Sequence, residues 1–439
     1  MVSLGCAKNQ VDAEVMLGLL RQYGYEIVNN PKSADIILVN TCGFIGPAKE
    51  ESINAILEQS KYKKAGSCKT LIVTGCLGQR YSDELMKEIP EIDAVVGTGN
   101  YTQIIQVLEK IKNGEKNTFL SNLSAPEEEL LPRMISTSGS TAYIKIAEGC
   151  DNWCSYCIIP KLRGRYRSRS VASIVKEARM LAEQGIRELI LVAQDVSRYG
   201  EDSGGKYNLV MLLKELCKIE ELNWIRLMYC YPDRITKELI DLIAKEEKIC
   251  SYLDIPIQHI NQRILTRMNR ISNSMQIRTM LAALKEQIPD IILRTSLIVG
   301  FPGESESEFQ ELMDFVSEGH FQHIGVFPYS REEGTKAADF PDQTDESVKM
   351  ERRDKLMAVQ KRVSKRLRRA RVGQICDVLI EGMESQNVYY GRSYGEAPEV
   401  DGLVYIYSQS PLKVGDFVKS KIIKAYDYDL LGEVYESGK

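Results

Sequence analysis

The 439-residue chain has no run of eighteen apolar residues, which excludes an ordinary membrane-spanning helix. Its start, Met1-Val2-Ser3-Leu4-Gly5-Cys6, lacks the charged segment and apolar core of a secretory signal, so a cytoplasmic protein is expected. Charge of one sign is lacking too: 57 Lys and Arg face 61 Asp and Glu, and a net charge of −4 excludes binding of polyanions through overall basicity. No solenoid-type repeat is present. Only three histidines occur, and none lies near the densest cysteine segment at 150–157.

What the chain does have is eleven cysteines. That number is odd, and a reducing compartment disfavours disulfides, so metal ligation or catalysis is the better use for those that are not core residues.

The apolar pattern divides the chain into three. Ile36 to Asn40 and Leu71 to Gly75 read as buried strands, each followed by a cysteine, with a helix over 47–63 between them. The first strand is short, which is expected if the natural start lies upstream. Residues 111–140 carry Ser, Pro, Gly and charge without periodicity and read as a linker. Six strands follow, at Ala142 to Ala147, Glu188 to Ala193, Trp224 to Tyr229, Tyr252 to Ile257, Ile291 to Val299 and His323 to Phe327, alternating with helices. Six units fall short of a closed eightfold barrel. A long basic helix over 345–371 ends at Gly373, and five short strands then fit in the last 65 or so residues. The expected fold class is α/β: a parallel α/β domain over 1–112, a partial (β/α)6 barrel over 136–367, and a small antiparallel β-barrel over 370–437.

Cys150, Cys154 and Cys157 form a C-x3-C-x2-C run just after a predicted strand. Three thiolates from one loop hold three corners of a 4Fe–4S cube and leave the fourth iron open. The alternatives at this point are a zinc knuckle or three coincidental core cysteines.

The run resembles the cluster motif of the radical S-adenosylmethionine (SAM) superfamily. The segments after it, Ile158-Ile159-Pro160-Lys161-Leu162-Arg163-Gly164 and Arg165 to Arg169, resemble the methylthiotransferases. So do Leu253 to His259 and Ile298 to Glu304. Leu4-Gly5-Cys6-Ala7-Lys8-Asn9, Asn40-Thr41-Cys42-Gly43-Phe44-Ile45 and Val73-Thr74-Gly75-Cys76-Leu77 match that family's N-terminal pattern, each with its cysteine at or just past a strand end.

The resemblance implies two 4Fe–4S clusters, one on Cys150, Cys154 and Cys157 and one on Cys6, Cys42 and Cys76, with the first triad catalytic. It also implies SAM as radical source and methyl donor, an electron from a flavodoxin or ferredoxin-type donor, and a C-terminal TRAM domain. In the implied reaction a SAM-derived radical removes hydrogen from an unactivated carbon, and the second cluster presents the sulfur. Cys68, Cys217, Cys230, Cys250 and Cys376 read as small hydrophobes. His259, His320 and His323 read as structural, with His259 the one placed to line the cavity.

The family divides by target. Gly5 to Asn9, Thr41 to Ile45 and Arg392 to Gly402 resemble the members that modify an aspartate of small-subunit ribosomal protein S12 rather than transfer-RNA adenosines. Charge bears on the same question. From Gly373 to Lys439 there are 11 acidic and 6 basic side chains, a balance of −5 that suits a basic protein better than RNA. Glu396, Glu399 and Asp401 are expected to form an exposed acidic docking loop, and the basic helix to be a solvated face. Methylthiolation of a transfer-RNA adenosine is the alternative reading.

Overall fold

The computed structural model describes residues 1–120, 123, 131–137 and 139–435. Five parallel strands form the first sheet: β1 (Val2–Ser3), β2 (Ile36–Thr41), β3 (Thr70–Gly75), β4 (Ala94–Val96) and β5 (Asn117–Phe119), in that spatial order. The aliphatic runs of β2 and β3 are buried on both faces, as covered parallel strands require. Helix α1 (Ala7–Gln22) follows β1, and it buries Lys8, Asn9, Asp12 and Glu14 along with its apolar residues. An amphipathic surface helix would leave such groups in water; α1 is instead covered on its polar side as well.

That cover is the next domain. Part of the presumed linker is structured: β5 lies in it, and residues 131–136 dock on α1. Met134 N donates to Glu14 O at 3.0 Å, and the Arg133 guanidinium bridges Glu14 and Glu177. Residues 121, 122, 124–130 and 138 of that stretch lie outside the described residues.

The second sheet starts at β6 (Thr141–Lys145). A short antiparallel ribbon, β7 (Ala147–Glu148) with β8 (Arg167–Ser168), brackets the cysteine loop. The strands β9 (Glu188–Val192), β10 (Trp224–Leu227), β11 (Ile249–Asp254), β12 (Ile292–Val299) and β13 (His323–Pro328) complete it. All neighbours are parallel in the order β6-β9-β10-β11-β12-β13, leaving an open six-stranded barrel. The strand expected at Tyr252 to Ile257 lies three residues earlier, because Pro256 has no N–H for a ladder. Among the described residues no helix is long and apolar enough to cross a membrane.

The long helix Glu346–Arg369 leads to a closed barrel of β14 (Ile375–Ser385), β15 (Val388–Arg392), β16 (Val404–Tyr407), β17 (Phe417–Ala425) and β18 (Leu430–Val434). It is not wholly antiparallel. β18 inserts between β16 and β17 and runs parallel to β16, from Val404 against Leu430 to Tyr407 against Glu433. That single parallel pair leaves no edge strand exposed.

The expected acidic docking loop is corrected. Glu396 and Asp401 are each 1% exposed at the side chain: Asp401 clamps the C-terminal barrel to the strands of the central one, and Glu396 ties it to the end of the long helix. Glu396 accepts from Arg371 at 2.8 Å and from Ser393, while Asp401 accepts from Tyr252 at 2.7 Å and faces Arg294 and His323. Glu188 at the start of β9 pairs with Arg226 and Arg392 in the same seam. Only Glu399 of the three loop acids is exposed. Charge counting cannot distinguish a solvated carboxylate from one buried against a guanidinium 25 residues away in the chain.

The basic helix is corrected likewise. Lys349, Arg352 and Arg368 turn inward, and Arg352 pairs with Glu304. Lys361 and Lys365 both reach Asp427 of the C-terminal barrel.

Burial would raise the Glu396 and Glu188 carboxyls, but the adjoining guanidiniums outweigh it and hold both at about 2. A carboxylate depressed in the fold contributes stability above its unfolded pKa, and that contribution is lost as pH falls toward the folded value. Thermal unfolding should therefore show stability dropping between about pH 4.5 and pH 2. Glu188→Ala leaves two buried guanidiniums short of a partner and should cost about 3–5 kcal/mol at neutral pH, with much of the acid dependence gone.

Candidate active site between two thiol triads

Parallel neighbours bring Cys6, Cys42 and Cys76 to one edge, just past the C-terminal ends of β1, β2 and β3. Cys6 is the N-cap residue of α1, and its thiol makes no capping hydrogen bond. Two glycines allow the close approach. Gly5 has φ +91°, and a Cβ there would lie 2.9 Å from Cys42 Cβ. Gly75, also at φ +91°, would press a Cβ against the Thr41 carbonyl. Asn9 ties the loops together by donating to Leu4 O at 3.0 Å and Thr41 O at 2.8 Å. Ser52 holds the Cys42 backbone, accepting from its N–H and donating to its carbonyl.

The other triad lies on the loop between β7 and the Ile159–Arg163 helix. Cys150 N donates to Gly164 O, and Cys157 N to Cys154 O at 3.0 Å. Asn152 donates to Asp195 beyond β9, and Ser155 to Arg267 O, so the loop is fixed on both sides. The Tyr231 hydroxyl lies 3.4 Å from Cys154 Sγ, and Arg270 Nη1 lies 3.8 Å from the same sulfur.

The two triads share one wall. Cys76 packs with Phe44, Ile158 and Leu162, so the residue after Cys157 touches a residue of the other set. Beside that wall lies a buried ionic network. Lys145 Nζ is 2.7 Å from Asp12 and 2.9 Å from Glu148; Arg163 Nη1 is 3.2 Å from Asp12 and 2.9 Å from Glu148. Arg163 also donates to Asn9 Oδ1 at 2.5 Å. Burial would raise the Glu148 carboxyl, but Arg163 and Lys145 hold it well below the carboxylate range.

The thiols show what they lack. Burial pushes Cys42 and Cys150 up to about 12, and it raises Cys76 and Cys157 as well. Burial would raise Cys6 too, but Lys8 and Arg163 reverse the sign and hold it below the ordinary thiol value. Buried thiols of this kind ionise when iron binds them, and an all-thiolate donor set suits an iron–sulfur cluster. A single zinc needs its sulfurs about 2.3 Å from one point. No three His, Cys, Asp or Glu side chains among the described residues meet such a condition. A four-iron cube, several ångströms across, takes one thiolate at each of three corners, so the triads fit a cluster better than a lone ion.

Sequence comparison agrees with this arrangement. Residues 1–97 match the Uncharacterized protein family UPF0004, residues 144–316 the Radical SAM superfamily, and residues 372–434 the TRAM domain. The chain is 51% identical over 432 residues to the ribosomal protein uS12 methylthiotransferase RimO of Clostridioides difficile (strain 630), covering 98% of this chain and 97% of that one. It is 52% identical over 439 residues to the same-named protein of Trichlorobacter lovleyi, covering 99% and 98%. The chain belongs to the ribosomal protein uS12 methylthiotransferase family. Among solved structures it is similar to the radical S-adenosylmethionine methyltransferase TsrM from Kitasatospora setae with cobalamin and a 4Fe-4S cluster bound. The TM-score there is 0.57 at 16% identity, over 76% of this chain and 74% of that one, a likeness of fold alone.

His259 is fully buried; its Nδ1 accepts from Asn261 N at 2.9 Å and its Nε2 faces Glu304 at 3.3 Å. It braces the 298–304 segment and does not line an open cavity. Sequence reading passed over Lys8, Tyr229, Tyr231 and Arg270. Lys8 and Arg163 stand inside recognised motifs, but Lys8 meets Ala193, and Arg163 meets Asn9 and Asp12, across more than 150 residues, which leaves no local signal.

Arg163→Gln removes the cation shared by Asp12 and Glu148. Thermal unfolding should show a loss of about 3–5 kcal/mol, the usual cost of stranding a buried charge. Limited proteolysis should cut residues 131–136, which dock on α1, faster in this variant as the N-terminal sheet loosens from the barrel.

Proposed function

We propose that the protein is a radical SAM methylthiotransferase that adds a methylthio group to the β-carbon of an aspartate in ribosomal protein uS12. The observation that carries this reading is the pair of facing thiol triads on one shared wall, in a chain that matches uS12 methylthiotransferases at about half identity from end to end. The three working parts are taken as residues 1–112, 136–367 and 370–437.

Cys150, Cys154 and Cys157 would hold one 4Fe–4S cluster, and Cys6, Cys42 and Cys76 the other. When bound, the clusters and SAM supply the electron, the radical, the sulfur and the methyl group, the hard chemistry that no side chain can perform. The chain's own residues bind and orient. Tyr231 and Arg270, stacked on each other at 4.1 Å, both reach the Cys154 sulfur. Arg163 compensates thiolate charge at Cys6 and Cys76 while it locks α1 to the barrel. Phe44, Ile158 and Leu162 keep water from the wall between the triads. A flavodoxin or ferredoxin-type protein would deliver the electron. Transfer RNA is disfavoured as substrate, since the relatives that cover the whole chain carry the uS12 name.

Anaerobic reconstitution should load two four-iron clusters, counted as iron and sulfide. Replacing Cys150, Cys154 and Cys157 together by Ala should remove half the iron and reduce 5′-deoxyadenosine formation by more than a hundredfold. Replacing Cys6, Cys42 and Cys76 should also remove half the iron, but leave SAM cleavage measurable and abolish methylthiolated uS12 by mass spectrometry. Methylthiolated transfer-RNA nucleosides in place of modified uS12 would overturn the substrate assignment.

A further inference from the structure

Among the described residues Lys8 is a buried cation with no carboxylate partner; its ionisable neighbour is the Cys6 thiol. It stands in the first turn of α1, two residues after Cys6, and is 7% exposed. An ammonium has three donors. Among the described residues Lys8 Nζ makes one hydrogen bond, a long one of 3.4 Å to Ala193 O, and no ion pair; the Tyr229 ring lies 3.6 Å from it. The buried cations Lys145 and Arg163 of the seam beside it each have two carboxylates, Asp12 and Glu148, while the buried Arg270 is held by Cys154 Sγ and Pro256 O. Burying a charge without its counterpart is expensive. A group that keeps such a charge in place is either compensated by something that binds or is lost from the fold's accounting.

The position says what binds. Ala193 follows β9, Tyr229 follows β10, and Tyr229 N donates to Asp254 at the end of β11. These are the C-terminal ends of the parallel strands, where open α/β sheets take their ligands. Two residues beyond Tyr229, the Tyr231 hydroxyl meets Cys154 Sγ. The segment 229–231 thus runs from Lys8, beside Cys6, to a sulfur of the other triad. Tyr229 is held there at φ +60°, a strained conformation for a non-glycine residue that recurs at ligand sites. Lys8 Nζ therefore lies at the strand ends between Cys6 and the segment that reaches Cys154, where the aspartate reading puts the carbon to be modified.

We propose that Lys8 binds the side-chain carboxylate of the target aspartate and sets which carbon faces the N-terminal triad. The assignment rests on the aspartate reading given above. An aspartate there supplies Lys8 with a carboxylate, with its β-carbon adjacent to the anchored group. The Tyr229 ring beneath the ammonium orients the remaining N–H donors toward the ligand, since its face attracts the cation. Lys8 is a specificity-determining residue in this role, and the side chain it selects for is an ionised carboxylate over a neutral amide.

The test is a binding titration of the anaerobically reconstituted enzyme with purified uS12 and with uS12 whose target aspartate is replaced by Asn. The unmodified enzyme should bind the Asp form at least tenfold more tightly. Lys8→Met, similar in length and uncharged, should bind both forms alike, and Lys8→Arg should keep the preference. Iron and sulfide counts on each variant establish that the clusters are loaded. Equal binding of the two forms by the unmodified enzyme, which needs no variant to fold, overturns the assignment, as does a preference kept by Lys8→Met. No binding of either form by the unmodified enzyme overturns the substrate reading itself and this assignment with it.

Discussion

Asp12, Glu148, Lys145 and Arg163 meet in the seam between the N-terminal sheet and the barrel, all buried, two anions against two cations. Taking four charges out of water is costly, and the arrangement holds only because each oxygen and nitrogen finds a counterpart at hydrogen-bond distance. Gln194 and the Gly149 N–H add two further donors to Glu148. Such a network has one satisfied geometry, so it fixes register as well as contact. The consequence reaches the chemistry. Asp12 and Cys6 share α1, and Arg163 closes the stretch that begins at Cys150. Fixing Asp12 against Arg163 fixes one thiol triad against the other.

The opposite end of the barrel is built on the same principle with the roles of the domains changed. Glu188 and Asp401 tie the strands to the C-terminal barrel through Arg226, Arg392 and Arg294, and Glu396 ties that barrel to Arg371 after the long helix. The N-terminal strand ends are thereby closed by ion pairs, while the C-terminal ends open on the triads. The exposed face of the C-terminal barrel carries less of its acidity than its composition indicates. Substrate choice is better located at the mouth between the triads than in the general charge of this domain.

Much of this was legible in the sequence, and the reasons differ by feature. The six cysteines stand out because a spacing of three and two within one loop, or a position just past a buried strand, is a local pattern. The six barrel strands stand out because covered parallel strands are continuous aliphatic runs. The ion-pair seams left no such trace. Glu396 and Asp401 sit in a short polar stretch that reads as a surface loop, and only Arg371, Tyr252 and His323 coming from elsewhere make it a clamp. Lys349, Arg352 and Arg368 were hidden in a helix so basic that its inward face had no apolar signature. The parallel closure of β16 on β18 is likewise a matter of threading, to which alternation along a strand is blind.

The backbone supports the same division between a rigid scaffold and a prepared site. Trp153, Tyr229, Gln258 and Asn269 all have positive φ without being glycine, and all lie around the Cys150 loop and the C-terminal strand ends. Asn269 donates to the Trp153 carbonyl, so two of these residues hold each other. Strain of this sort persists only where the surroundings over-determine it. Here the surroundings include Arg270, which donates to Pro256 O and stacks on Tyr231, and Ser155, whose backbone N–H and hydroxyl donate to the Met268 and Arg267 carbonyls. Loosening a seam should therefore relax these four residues first and misplace Cys154 before the barrel itself unfolds. The ion pairs serve less to raise total stability than to keep a strained site from relaxing.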